Sequence, residues 1–134
     1  MVEIFVGKRR KSVARACIEK GKGRVLINSI PLEQYYTNKY LKMFVEEPLI
    51  LAGDLSKKVN IYINVKGGGI IGQAEAVRQA IAKSLVGFFK DEKLKHVFLE
   101  YDRNLLIYDP RRNEPHKPSR SKKGPRRHKQ RSKR

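Results

Sequence analysis

The chain has 134 residues, with 31 Lys or Arg against 13 Asp or Glu and a net charge of +18 at pH 7. That charge points to nucleic acid or an anionic membrane surface as partner, while no apolar run approaches the roughly 20 residues of a bilayer span. One cysteine, Cys17, excludes an internal disulfide and fits a reducing cytoplasm, and MVEIFVGKRRK turns basic after its apolar part, the reverse of a secretory signal.

In chain order, Val2, Ile4 and Val6 alternate with Glu3 and Phe5 and predict a first strand, followed by a basic corner from Lys8 to Lys11. Val13 to Ile18 and Arg24 to Ile27 read as two strands joined as a hairpin by Gly21-Lys22-Gly23. Asn28-Ser29 turns the chain, and Pro31 is placed to open a short helix. From Asn38 the period becomes helical, with Tyr40, Leu41, Phe44 and Val45 on one face; Pro48 is expected to break that helix and start another. Lys58 to Lys66 is the clearest strand, with Val59, Ile61, Ile63 and Val65 on one side and Asn60, Tyr62 and Asn64 on the other. Ile70 to Lys90 is the clearest helix, its stripe running through Ile70, Ala74, Val77, Ile81, Leu85 and Phe88. Asp91 caps a last helix carrying Leu94, Val97, Phe98 and Tyr101, and Leu105 to Tyr108 is a final strand or a plug on the core. The expectation is one small α+β domain over residues 1–110, a mixed sheet packed by helices.

Residues 111–134 form a second unit by composition. They carry twelve Lys or Arg, one acid (Glu114) and no hydrophobic side chain. Ordering such a segment costs roughly 1–2 kcal/mol per residue with no apolar burial to offset it. It is expected to be an extended tail, ordered only on a polyanion. Its lack of aliphatic or aromatic groups counts against a membrane as that polyanion.

Between the clearest strand and the clearest helix lies Lys66-Gly67-Gly68-Gly69. Three readings apply: a tight strand-to-helix turn, backbone contact with an RNA phosphate, and a nucleotide-phosphate loop of an enzyme. The spacing fits neither a Walker A loop nor GxGxxG. Catalytic groupings are thin. His116 and His128 sit in the tail, His96 is beside Lys95 on a helix, no Cys/His spacing suits zinc, and the adjacent Glu46 and Glu47 diverge by about 100° on a helix.

The glycine run belongs to a longer string, Val65-Lys66-Gly67-Gly68-Gly69-Ile70-Ile71-Gly72-Gln73-Ala74-Glu75-Ala76-Val77-Arg78. It resembles the signature of the small-subunit ribosomal protein number nine family, with its GGG, then G-Q, then small residues at helical spacing and a basic residue near Ala82-Lys83-Ser84-Leu85. Gly7 to Ala16 resembles the family's N-terminal G-[KR]-R-K-x-[SA]-x-A-R. Tyr101-Asp102-Arg103 and Asp109-Pro110-Arg111-Arg112 with Glu114-Pro115 resemble its archaeal branch. The ending Gln130-Arg131-Ser132-Lys133-Arg134 keeps the family's terminal arginine but lacks the aromatic of the Q-K-S-Y-R and Q-F-S-K-R endings.

The resemblance implies a structural constituent of the small ribosomal subunit, cytoplasmic, with no enzymatic activity, no cofactor and no small-molecule substrate. The body would bind the head, the 3′ major domain of small-subunit rRNA, beside neighbouring head proteins. The fold would resemble the second domain of small-subunit ribosomal protein five, with a left-handed β-α-β crossover in place of the usual right-handed one. Contacts to rRNA would come from Lys8, Arg9, Arg10, Lys11, Arg15, Lys66, Gly67, Gly68, Gly69, Gln73, Arg78 and Arg103. In the tail they would come from Arg111, Arg112, Lys117, Arg120, Lys122, Lys123, Arg126 and Arg127. Arg131, Ser132, Lys133 and Arg134 would reach the anticodon stem-loop of the P-site tRNA. Two other classes use the same features: a free-standing nucleic-acid-condensing protein, which would not need the two motifs, and a small-molecule phosphotransferase, which would need a serine-rich phosphate loop and carboxylates for magnesium.

Overall fold

The computed structural model describes residues 3–115. Five strands form one sheet in the order β1-β2-β5-β3-β4. They are β1 (Ile4–Arg9), β2 (Ser12–Lys20), β3 (Val25–Ile27), β4 (Ile30–Pro31) and β5 (Val59–Lys66). The helices are α1 (Leu32–Tyr35), α2 (Lys39–Ala52), α3 (Ile70–Phe89) and α4 (Glu92–Tyr101). The expected mixed α+β architecture is present: β1–β2, β2–β5 and β3–β4 are antiparallel, and β3–β5 is parallel.

The sheet is fully buried on one face only; the other mixes Ile4, Val6, Val13 and Leu26 with polar and charged side chains. Val59, Ile61, Ile63 and Val65 of β5, Ala14 and Ala16 of β2 and Ile27 of β3 are buried. Against them lies α3, whose Ala74, Val77, Ile81 and Leu85 are fully buried, as its stripe predicts. Gly7 of β1 allows the close approach of strand to helix, since a Cβ there would strike the Ala76 carbonyl and the Ala80 amide. The other sheet face carries Lys8, Arg15, Asn64 and Lys66, all exposed, with Cys17 and Tyr62 half-buried.

Four expectations are corrected. First, Val13 to Ile18 and Arg24 to Ile27 do not form a hairpin, because β5 lies between them. Its uninterrupted inward apolar row gains most from pairing on both edges. The Gly21–Gly23 turn instead wraps the start of β5, with Gly21 N–H donating to Lys58 O (2.9 Å) and Gly23 N–H to Val59 O (3.0 Å). Second, Pro48 does not break α2. Its missing N–H removes one helical bond, while its buried ring joins Val45 and Ala52 on the inward side. Third, Ile70 is not in the core stripe but 70% exposed. Conversely Ala76, Arg78, Gln79, Ala80 and Ala82 are buried, because α3 lies between the sheet and the layer of α2 and α4. Fourth, Val97 and Tyr101 of α4 are exposed, so only Leu94 and Phe98 seat the helix. Leu105 is a buried plug in a 3-10 turn (Arg103–Leu105) and not a strand.

Candidate nucleic-acid interface

Three features expected from separate parts of the chain meet at one end of the molecule: the β1–β2 corner, the loop between β5 and α3, and the segment leading into the tail. The corner is tight, with Arg10 in the left-handed region (φ 54°). Register places Lys8 and Lys66 on either side of Val13, and Arg15 beside Asn64, so three cations share the uncovered sheet face. Arg10 and Lys11 project at the corner itself and are exposed.

The glycine loop and the corner are one physical unit. Gly67 and Gly68 have φ of 80° and 69°, conformations that side chains disfavour. A Cβ on Gly67 would press on the Lys11 carbonyl, and one on Gly68 would overlap the Ser12 hydroxyl. The Gly67 carbonyl accepts from Ser12 Oγ and from Gln73 Nε2, both at 3.0 Å. Gly69 differs. It has φ −95° and open space where its Cβ would be, and it leads into α3, whose first turn has no side-chain cap. Uncapped N–H groups at a helix start favour an anion. Of the three readings of the glycine run, the tight turn accounts for Gly67 and Gly68, while Gly69 is exposed at the start of α3 with open space at its Cβ position.

The tail root is tied to the same place. Asp109 accepts from Arg9 Nη1 (3.2 Å), and it pairs with Arg111 Nη2 (2.6 Å). The hydrogen bonds from Arg111 and the nearby Arg9 charge hold the Asp109 pKa at about 2, below the ordinary 3.8. Arg9 Nε also donates to Glu75 (2.5 Å). Arg112 Nη1 donates to the Arg10 carbonyl (2.5 Å), with its guanidinium 5.5 Å over the Tyr108 ring. The chain therefore leaves the body beside the basic corner.

Not every expected contact residue faces outward. Arg78 is 6% exposed. Its Nε and Nη2 donate to Glu47 of α2 (3.0 and 2.5 Å), its Nη1 donates to Asp102 after α4 (2.9 Å), and its guanidinium lies 4.4 Å over Phe44. It joins three helices and offers no free donor face. Glu47 also holds the Tyr101 hydroxyl and pushes its pKa up. Arg9 is likewise committed to Glu75 and Asp109, and Gln73 to Gly67. Arg103 is exposed on the turn after α4 and does not line the groove at the corner. Lys117, Arg120, Lys122, Lys123, Arg126, Arg127, Arg131, Ser132, Lys133 and Arg134 lie outside the described residues.

Sequence reading missed Ser12, Glu75 and Asp109, which organise the corner. Their signal was available: each is a small polar or acidic residue inside a string otherwise chosen for its cations and glycines. It also missed Lys83, whose Nζ donates to the Val6 carbonyl (3.0 Å), while Gln79 Oε1 accepts from the Lys8 N–H (2.8 Å). Side chains of α3 thus cover the edge of β1. Burial, together with the charge of Lys8, lowers the Lys83 pKa.

An α+β body thus presents a cationic end, where Lys8, Arg15 and Lys66 on the sheet face opposite α3 lie beside the basic corner, the glycine loop and the root of the C-terminal segment. The model of the family described as ribosomal protein S9/S16 matches residues 7–134. Small ribosomal subunit protein uS9 of Methanococcus maripaludis strain C7 is 50% identical over 127 residues, covering 95% of this chain and 94% of that protein. The uS9 proteins of Methanococcus vannielii (48% over 127 residues) and Desulfurococcus amylolyticus (51% over 116 residues, 87% of this chain and 82% of that protein) are similar to it as well. The chain belongs to the ribosomal protein S9 family, whose members are structural ribosomal proteins and not enzymes.

Proposed function

We propose that this protein is a structural constituent of the small subunit of the cytoplasmic ribosome, binding the 3′ major domain of its rRNA on the subunit head. Lys8, Arg10, Lys11, Arg15, Lys66, Arg112 and the backbone at Gly69 contact phosphates. Arg9 and Gln73 act indirectly, by holding the corner, the glycine loop and the tail root together, and Arg78 by joining α2 and the end of α4 to α3. Residues 111–134 thread into rRNA, and Arg131 to Arg134 approach the anticodon stem-loop of the P-site tRNA. Neighbouring head proteins complete the surroundings, with no membrane and no small-molecule substrate. The crossover from β3 to β5 is left-handed in this reading, as in the second domain of small-subunit ribosomal protein five. The observation that carries the proposal is the convergence of corner, glycine loop and tail root at one end, where a thin basic segment leaves the body. Arg groups pair with phosphates bidentately and Lys groups as point charges, and backbone contacts of this kind are indifferent to base sequence. That suits a site through which every tRNA passes.

The test is binding of the full chain to a transcript of the 3′ major domain across a salt series. With about 6–10 cations on phosphates, log K falls against log salt with a slope of roughly −4 to −9. A slope near zero, or equal binding to an unrelated RNA domain in competition, refutes it.

A further inference from the structure

The groove at the basic corner is not merely charged. It encloses about 960 Å³ between the first turns of α2 and α3 and the β1–β2 corner. Three of its lining side chains are large, apolar and open to solvent: Tyr40 (81% exposed), Ile70 (70%) and Ile71 (67%). Half-buried Leu41 and the exposed Arg10 and Lys11 line it as well. Among the described residues the lining has one acid, Glu75, and it is paired with Arg9.

We propose that this groove receives an unpaired, unstacked nucleotide of the bound RNA, its base against Tyr40 and the Ile70–Ile71 pair and its phosphates on Arg10 and Lys11. The inference rests on the RNA-binding reading above and adds what that reading lacks, a site for a base. The apolar wall gains nothing from phosphate, and the cations gain nothing from an apolar partner. A single-stranded nucleotide satisfies both at once, because it joins a flat π-face to an anionic backbone. Duplex RNA keeps its bases stacked and offers only the second half. An apolar protein segment would have to face Arg10 and Lys11 with its own acids, and no such partner is implied by the cationic surroundings.

The experiment uses the full chain with Tyr40→Ala, Tyr40→Phe and Ile71→Ser. Tyr40 is solvent-exposed, so the alanine variant is expected to melt with the wild type, and the phenylalanine variant keeps the ring. Binding to a single-stranded oligouridylate and to an adenine–uracil duplex of the same length is measured at several salt concentrations. Tyr40→Ala should weaken single-strand binding about 5- to 150-fold with the salt slope unchanged, leave duplex binding unaltered, and be rescued by Phe. In small subunits reconstituted with the same variants, a base-specific chemical probe should find one discrete unpaired nucleotide newly reactive with Tyr40→Ala. If wild type binds RNA with the expected salt slope but Tyr40→Ala and Ile71→Ser change neither affinity nor reactivity, the base site is wrong while the RNA-binding reading stands. If a photocrosslinker at position 40 captures a protein in place of rRNA, the groove is a protein-docking site and the proposal falls. If wild type itself shows no salt-dependent binding, the underlying reading fails.

Discussion

Adding a single methyl group at Gly68, and separately at Gly69, separates the roles inside the glycine run. In Gly68→Ala the backbone at φ 69° must hold a side chain, which costs about 1–2 kcal/mol. The new Cβ also overlaps the Ser12 hydroxyl, which is 1% exposed and donates to the Gly67 carbonyl. Displacing a buried hydroxyl from its partner costs about 1–3 kcal/mol more. The total, about 2–5 kcal/mol, is a large share of the roughly 5–15 kcal/mol that a domain of this size has. The urea midpoint should drop by about 1–2 M. Gly69→Ala meets open space at φ −95° and should leave the midpoint unchanged or slightly higher, since alanine restricts the unfolded chain. A Ser12→Ala background removes the overlapping atom, so there the Gly68→Ala penalty should shrink to its backbone part, about 1–2 kcal/mol. If Gly68→Ala and Gly69→Ala lie within about 0.5 kcal/mol of each other, the coupling of the loop to the corner is refuted.

Arg78→Met should destabilise the body by about 3–5 kcal/mol in a denaturant titration, because Glu47 and Asp102 lose their shared partner; a change under 1 kcal/mol would mean that the three helices do not depend on it. Acid should release the tail root. The Asp109 carboxylate contributes fully above about pH 4 and loses its effect as pH falls towards 2, so the Arg111 amide and the Asp109 carboxyl carbon should titrate together in NMR, and Asp109→Asn should abolish that step. Deleting Gln130 to Arg134 leaves nine cations in residues 111–129 and the body intact. Subunits should assemble at normal yield with faster P-site tRNA dissociation or more frameshifting, each lost phosphate contact being worth about 1–3 kcal/mol before compensation; failure to assemble would make the tip an assembly element.

Local pattern alone determined a good part of this protein. The period-2 run of β5 and the period-3.6 run of α3 are strong because each element buries one defined face, and both appear where the sequence places them. The Asp91 cap acts within two residues of itself and was legible for the same reason, as was the start of the helical pattern at Asn38, whose side chain caps α2. The compositional break before residue 111 needs no fold to be seen. Tertiary structure decided what depends on neighbours distant in sequence. The place of β5 between β2 and β3 follows from which strand gains most by pairing on both edges, a comparison across the whole chain that a glycine turn cannot report. Pro48 stays inside α2 because its ring is buried, and Ile70 lies outside the core as the first residue of α3, directly after the exposed glycine loop. At the functional end the cations were visible in the sequence, but their division of labour was not. Arg9 and Arg78 are bound by Glu75, Asp109, Glu47 and Asp102, and Arg10, Lys11 and Lys66 are left exposed, because only folding brings acids from other elements within hydrogen-bond distance of some arginines and not of others.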